Sequence, residues 1–219
     1  MGELKICGLK QTQEIVCCLE NNINYVGFVF CIKSSRSVSF NELEKLNLHQ
    51  YTHLNKVGVF VSPTIEELTI AIETGCNIIQ AHLPNVDAIL LAKQTYPHIQ
   101  IILPFAINGI EDILNIKLHP LFDIANFILL DKPTKNHGGG GEVFDWNIFH
   151  EAKALQIYKI KKLFNKPFFL SGGINEQNIA QALQISPFID LSSAVESQRG
   201  MKDLKKIYNI SRLINTGHN

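Results

Sequence analysis

The chain has 219 residues, enough for one domain, and 46% of them are hydrophobic, enough for a sizeable core. Twenty basic residues balance twenty acidic ones, so there is no net field to gather nucleic acid or an anionic membrane surface. No window approaches the ~20 apolar residues of a membrane span, and the opening Met-Gly-Glu-Leu-Lys is charged where a signal peptide would be apolar. The five cysteines form no CxxC pair, and the expectation is reduced thiols in the cytoplasm.

Short apolar runs alternate with amphipathic ones along the whole chain. Lys5-Ile6-Cys7 closes a first strand, and Thr12–Glu20 reads as a helix. Tyr25–Phe30 is a second strand, with a helix near Asn41–Leu48. Lys56–Val61 is a third; Ser62-Pro63-Thr64 then opens a helix with a capping residue and an early proline. Asn77–His82 is a fourth strand, followed by a helix from about Val86. Ile99–Ala106 is a fifth, with Glu111–Lys117 helical. Asn126–Asp131 is a sixth; a glycine-rich loop then leads to a helix from Trp146 to about Leu163. Pro167–Leu170 is a seventh, with a helix from Glu176. Phe188–Ser192 is an eighth, and Met201–Leu213 is the closing helix.

Eight β-then-α units without a linker point to a single (β/α)8 TIM barrel spanning residues 1–219. The strands are continuous apolar runs, as parallel strands covered by helices require. An open doubly wound sheet is the alternative, but the first βα turn, Cys7-Gly8-Leu9-Lys10, lacks GxGxxG. In a barrel, chemistry sits where strands end. Cys7, His82, Asp131, Ser171 and Ser192 all fall there.

Each of these residues has a plain and a functional reading. A free cysteine is most often a small buried hydrophobe; at a strand end before Gly8, Cys7 can act as a base if its pKa is lowered. Asp131 follows four apolar residues, so desolvation should raise its pKa and favour an acid; its plain reading is a helix cap. Gly138–Gly141 is either a simple flexible loop or one that closes over a ligand. Ser171-Gly172-Gly173 and Ser192-Ser193 follow the seventh and eighth strands, where barrel enzymes hold phosphate on backbone N–H groups. Arg36 is a surface arginine or a bidentate carboxylate clamp. His82 binds polar ligand groups or is structural. No cluster has metal-ligand spacing, so no metal and no cofactor are expected.

Together these stretches resemble the phosphoribosylanthranilate isomerase family of tryptophan biosynthesis. The matching segments are Lys5–Gly8, Gly27–Phe30 with Ser35-Arg36, Val57–Val61, Gln80-Ala81-His82, Leu129-Leu130-Asp131, Gly138–Gly141 with Phe144-Asp145-Trp146, Leu170–Gly173 and Asp190–Glu196. The resemblance implies an Amadori rearrangement of N-(5-phosphoribosyl)anthranilate to 1-(2-carboxyphenylamino)-1-deoxyribulose 5-phosphate. It makes Cys7 the general base and Asp131 the general acid. It assigns Arg36 to the anthranilate carboxylate and Gly172, Gly173, Ser192 and Ser193 to the phosphate, with Gln80 and His82 also on the substrate. The implied partner is a small phosphosugar, with no nucleic acid or membrane, and the chain would act as a monomer or homodimer.

Three positions depart from the family pattern. Ala194 stands where glycine is usual, Gly140 and Glu142 where Ser or Thr and Lys are usual, and Leu83-Pro84 where glycine follows the histidine. Alanine avoids the left-handed region, so Ala194 is expected at ordinary negative φ. Two rival readings remain. One is the sister isomerase of histidine biosynthesis, whose paired aspartates Cys7 argues against. The other is a phosphosugar-binding barrel of the same family that has lost catalysis.

Overall fold

The computed structural model describes residues 2–132, 146 and 165–216, with side chains to Ile214. The glycine loop at 138–141, with Gly140 and Glu142, and the helix expected over 146–163 lie outside the described residues, Trp146 apart.

Eight parallel strands close into a barrel in sequence order: β1 (Glu3–Cys7), β2 (Tyr25–Phe30), β3 (Asn55–Val61), β4 (Ile78–His82), β5 (Gln100–Ala106), β6 (Phe127–Asp131), β7 (Phe168–Leu170) and β8 (Phe188–Leu191). The last pairs back with the first, Lys5 opposite Asp190. The described helices are α1 (Thr12–Glu20), α2 (Phe40–Lys45), α3 (Ile65–Glu73), α4 (Val86–Thr95), α5 (Ile110–Asn115), α6 (Ile179–Ile185) and α7 (Leu204–Thr216). Their starts follow local chemistry. Ser39 and Glu42 cap α2 reciprocally, and Thr64 and Glu67 do the same for α3.

Strand alternation decides what enters the barrel. Leu4 and Ile6 join the large core between strands and helices. Lys5 and Cys7 face the other way, into the barrel. So do Tyr25, Phe127, Phe169 and Phe188, whose rings meet mostly edge-to-face at centroid separations of 5.2–6.5 Å. This aromatic plug fills the end at which the strands start. Among the described residues, the inward-facing Lys5, Gln80 and Asp190 lie beyond it, toward the end at which the strands finish.

Three expected boundaries shift, each for a local reason. Asn47 adopts φ 48° and ends α2 at Lys45, leaving Leu48–Gln50 as a separate single turn. Asn175 and Asn178 hold a side-chain-bonded turn, so α6 starts at Ile179 rather than Glu176. The closing helix does not begin at Met201. Met201-Lys202 form β10, which pairs antiparallel with β9 (Glu196–Gln198), and α7 starts after Asp203, whose carboxylate accepts the Lys205 and Lys206 N–H groups.

The hairpin turns through Gly200 at φ 85°, and a Cβ there would strike the Ser35 carbonyl. Gly200→Ala therefore combines left-handed strain with a backbone collision. It should lower stability by at least about 1 kcal/mol, read as a fall in the urea midpoint at unchanged slope.

Candidate active site

Cys7 ends β1 and Asp131 ends β6. Passing through β8 and β7, the two strands lie three apart round the barrel, so the side chains face one another across its mouth. Between them sits a pair of charges that the plug below keeps dry. Lys5 has no exposed surface, and its Nζ donates to Asp190 Oδ1 at 2.8 Å. Lys5 also reaches the Cys7 thiol, and the Ser171 hydroxyl donates to Asp190 Oδ2 at 3.5 Å. Burial opposes the ammonium, but Asp190 and then Cys7 outweigh it, and the Lys5 pKa is raised.

The same pair acts on both titrating groups, with Lys5 weighing more on Cys7 and Asp190 more on Asp131. Burial pushes the Cys7 thiol up, while Lys5 pulls it down and Asp190 pushes it further up. The lowered pKa that would make Cys7 a thiolate is therefore not present in the free site. Desolvation lifts Asp131 to about 6, and the Asp190 charge adds to it; the Lys132 N–H, donating to Oδ1 at 2.8 Å, opposes. The expected rise at Asp131 is there, and its cause is the one read from the apolar strand. Gly27 and Gly172 make room: a Cβ on Gly27 would lie 3.2 Å from the Cys7 sulfur, and one on Gly172 2.8 Å from Asp131 Oδ1.

Arg36 is buried rather than solvated, with 6% of its surface exposed. Its stem crosses Gly8, where φ is 88° and a Cβ would come within 2.9 Å of Arg36 Cδ. Its guanidinium holds Glu196 in a two-point pair, Nε to Oε1 at 2.6 Å and Nη2 to Oε2 at 2.8 Å. Lys202 Nζ, on β10, reaches the same Oε1 at 3.0 Å and the Ser192 carbonyl at 2.9 Å. The Ser192 hydroxyl donates to the Cys7 carbonyl at 3.0 Å. The arginine, the turn after β8 and the end of β1 are thus one connected structure.

The two small-residue turns are neighbours because β7 pairs with β8. Gly172 and Gly173 both take positive φ, 88° and 69°, a backbone form suited to presenting N–H groups. Ser192 and Ser193 open a single turn, Ser193–Val195, that contains Ala194. Ala194 is not in the left-handed region, as expected. Leu83 is: it carries φ 47° beside His82, at the position where the family pattern led to an expectation of glycine. On β4, Gln80 is buried with Nε2 3.2 Å from His82 Nε2, and Gln80 Oε1 lacks a hydrogen-bond partner among the described residues. These two residues stand across the mouth from the turns after β7 and β8, with β4 and β8 on opposite sides of the barrel.

Lys5, Asp190, Glu196 and Lys202 were given no role by the sequence reading. Parity was the available signal for the first two. A lysine that shares a strand face with Cys7 points inward, and a buried ammonium needs an anion from another strand. Glu196 ends a family-matching segment but has no local cue to a role, and Lys202 falls in the stretch expected to open the closing helix.

A closed eight-stranded β/α barrel, with an opposed thiol and carboxyl at its mouth and two anion-suited turns after its last strands, defines an acid–base barrel enzyme. The model of the family described as N-(5'-phosphoribosyl)anthranilate (PRA) isomerase matches residues 4–212. An N-(5'-phosphoribosyl)anthranilate isomerase of Streptococcus mutans is 36% identical over 94% of this chain and 95% of its own length. A phosphoribosyl anthranilate isomerase from Thermotoga maritima superposes with a TM-score of 0.79 at 28% identity, covering 99% of this chain and 100% of that one. Another such isomerase, in complex with reduced 1-(o-carboxyphenylamino)-1-deoxyribulose 5-phosphate, superposes at 0.76 and 25% identity, covering 98% and 99%. The chain belongs to the N-(5'-phosphoribosyl)anthranilate isomerase family and is an enzyme of the isomerase class.

The raised Asp131 pKa has a stability consequence. Between the unfolded value near ~4 and the folded value of about 6, the folded state holds the extra proton. Stability therefore falls as pH rises through that window, and the penalty is complete above it. Asp131→Asn should raise stability at pH 7 by on the order of 1–3 kcal/mol, with the gain vanishing below about pH 4. Thermal unfolding at the two pH values reads both. The converse strain lies at Leu83: Leu83→Gly relieves a left-handed side chain worth about 1–2 kcal/mol, less the entropy that glycine adds to the unfolded chain, and should raise the melting temperature slightly.

Proposed function

We propose that Cys7 and Asp131 carry out the Amadori rearrangement of N-(5-phosphoribosyl)anthranilate to 1-(2-carboxyphenylamino)-1-deoxyribulose 5-phosphate. The observation that carries this is the opposed pair at the ends of β1 and β6, with the Lys5–Asp190 pair between them. Asp131 gives its proton to the furanose ring oxygen, and the C1–O bond breaks to leave an iminium. Cys7 takes the proton from C2, giving an enolamine. Loss of the enol proton and protonation of C1 then complete the ketone, so atoms and charge balance. The Gly172-Gly173 and Ser192-Ser193 turns receive the phosphate, Arg36 the anthranilate carboxylate, and Gln80 and His82 polar groups of the substrate.

The raised thiol and the Asp131 value of about 6 give this chemistry a definite protonation pattern. Around neutrality the resting site is thiol plus carboxylate. The working form, thiolate plus carboxylic acid, holds the same number of protons. Its share is therefore constant between the two pKa values, which belong to the coupled pair. The developing iminium then favours the thiolate by attraction. It follows that kcat/KM rises through about pH 6 and stays level into the range of an ordinary thiol, even though Asp131 works as an acid.

The departures in the described part leave acid, base and arginine in place. Ala194 is accommodated without left-handed strain, and Leu83 absorbs its strain at an exposed position. We take the enzyme as a monomer or a homodimer. The free cysteines support a cytoplasmic setting.

Turnover of freshly made N-(5-phosphoribosyl)anthranilate, followed by loss of its fluorescence, tests the proposal. Cys7→Ala should lower kcat by roughly 10²–10⁴ while product affinity changes little. A native protein that binds product, shown by a melting-temperature shift, and turns over no substrate would instead be the binding barrel.

A further inference from the structure

The Arg36–Glu196 pair raises a physical question. A carboxylate that already occupies an arginine competes with any carboxylate ligand, yet the pair is built with care and buried. Its geometry resolves this. Glu196 takes Nε and one hydrogen of Nη2, the side-on edge of the guanidinium. The end-on edge, Nη1 with the second hydrogen of Nη2, is left; among the described residues Nη1 has no hydrogen-bond partner. Both edges are flat two-point donors for a carboxylate.

Charge points the same way. Arg36 and Glu196 alone would be neutral and attract an anion weakly. Lys202 restores one positive charge by sitting 3.0 Å from the same carboxylate, itself buried. Burial alone would lift the Glu196 pKa, but Arg36 and then Lys202 keep it below the ordinary range, so the clamp stays charged. Lys206 fixes the Glu196 main chain through its carbonyl at 2.7 Å. A free arginine has several rotamers at the mouth; this one is held by Gly8 beneath its stem and by Glu196 along one edge.

We infer that Glu196 is a positioning residue that sets substrate selectivity: it aligns the end-on edge of Arg36 for the aromatic carboxylate of the substrate. The inference rests on the assignment of that carboxylate to Arg36. Lys202 balances the charge and ties the aligned arginine to the Ser192 turn, so both ends of the substrate are gauged by one rigid hairpin.

The test compares two substrates, N-(5-phosphoribosyl)anthranilate and N-(5-phosphoribosyl)aniline, which lacks the carboxylate. The readout is the ratio of their kcat/KM values, with product measured by chromatography. Glu196→Gln keeps the shape but loses the ion pair, and should lower the ratio about tenfold, the scale of a weakened charge-assisted bond. In an Arg36→Ala background the same change should move the ratio less than twofold, because Glu196 then has nothing to aim. Glu196→Asp, which pulls the carboxylate back, should lower the ratio in the same direction and serves if Glu196→Gln does not fold.

An unchanged ratio in Glu196→Gln, or an equal fall in both backgrounds, overturns the inference. If Arg36→Ala collapses the ratio while the Glu196 variants do not, Arg36 keeps its role and only the positioning role falls. If Arg36→Ala itself leaves the ratio unchanged, the carboxylate assignment fails and the inference falls with it.

Discussion

A lysine without exposed surface, held in the barrel wall by one aspartate at 2.8 Å, is the constraint on which the site turns. Neither charge survives there alone, since an unpaired buried ion is costly to desolvate. Strand register supplies the pairing: β8 closes on β1 with Asp190 opposite Lys5, so closing the barrel and making the ion pair are one event. The aromatic plug below keeps water out and makes the pair's field strong. Its cationic end meets Cys7 and its anionic end meets Asp131 by way of Ser171. One pair thus gives two titrating groups different surroundings, which is the arrangement a base and an acid need on opposite sides of a sugar.

A second buried charge network lies beside the first. Arg36, Glu196 and Lys202 form a buried row of alternating charge with one positive charge in excess. That excess stands in for the net charge the chain as a whole lacks. The row hangs on the β9–β10 hairpin, and through Ser192 it touches the main chain of Cys7 itself. The turn after β8, the Arg36–Glu196 pair and the end of β1 are therefore tied into one hydrogen-bonded structure.

Much of this was legible in the residues. Eight apolar runs separated by amphipathic ones gave the barrel, because parallel buried strands and their covering helices leave strong periodic marks. Strand ends gave Cys7 and Asp131. The apolar run before Asp131 gave the direction of its pKa. Ala194 was placed correctly from the conformational cost of a methyl group alone. What stayed hidden depends on tertiary pairing. Lys5 and Asp190 lie 185 residues apart, and only closure reveals them as partners. The hairpin at Glu196–Lys202 was missed because its strands are three and two residues long, too short for a period, and run straight into a helix. The thiol at Cys7 was expected to need a lowered pKa; burial raises it.

The central claim, proton removal from C2 by Cys7, is tested most directly with substrate carrying deuterium at C2 of the ribose. With native enzyme, conversion should slow relative to the protiated substrate, and the label should be lost from the product. With Cys7→Ala, label loss should fall in step with turnover. Loss of the C2 label at the native rate in Cys7→Ala would contradict the account.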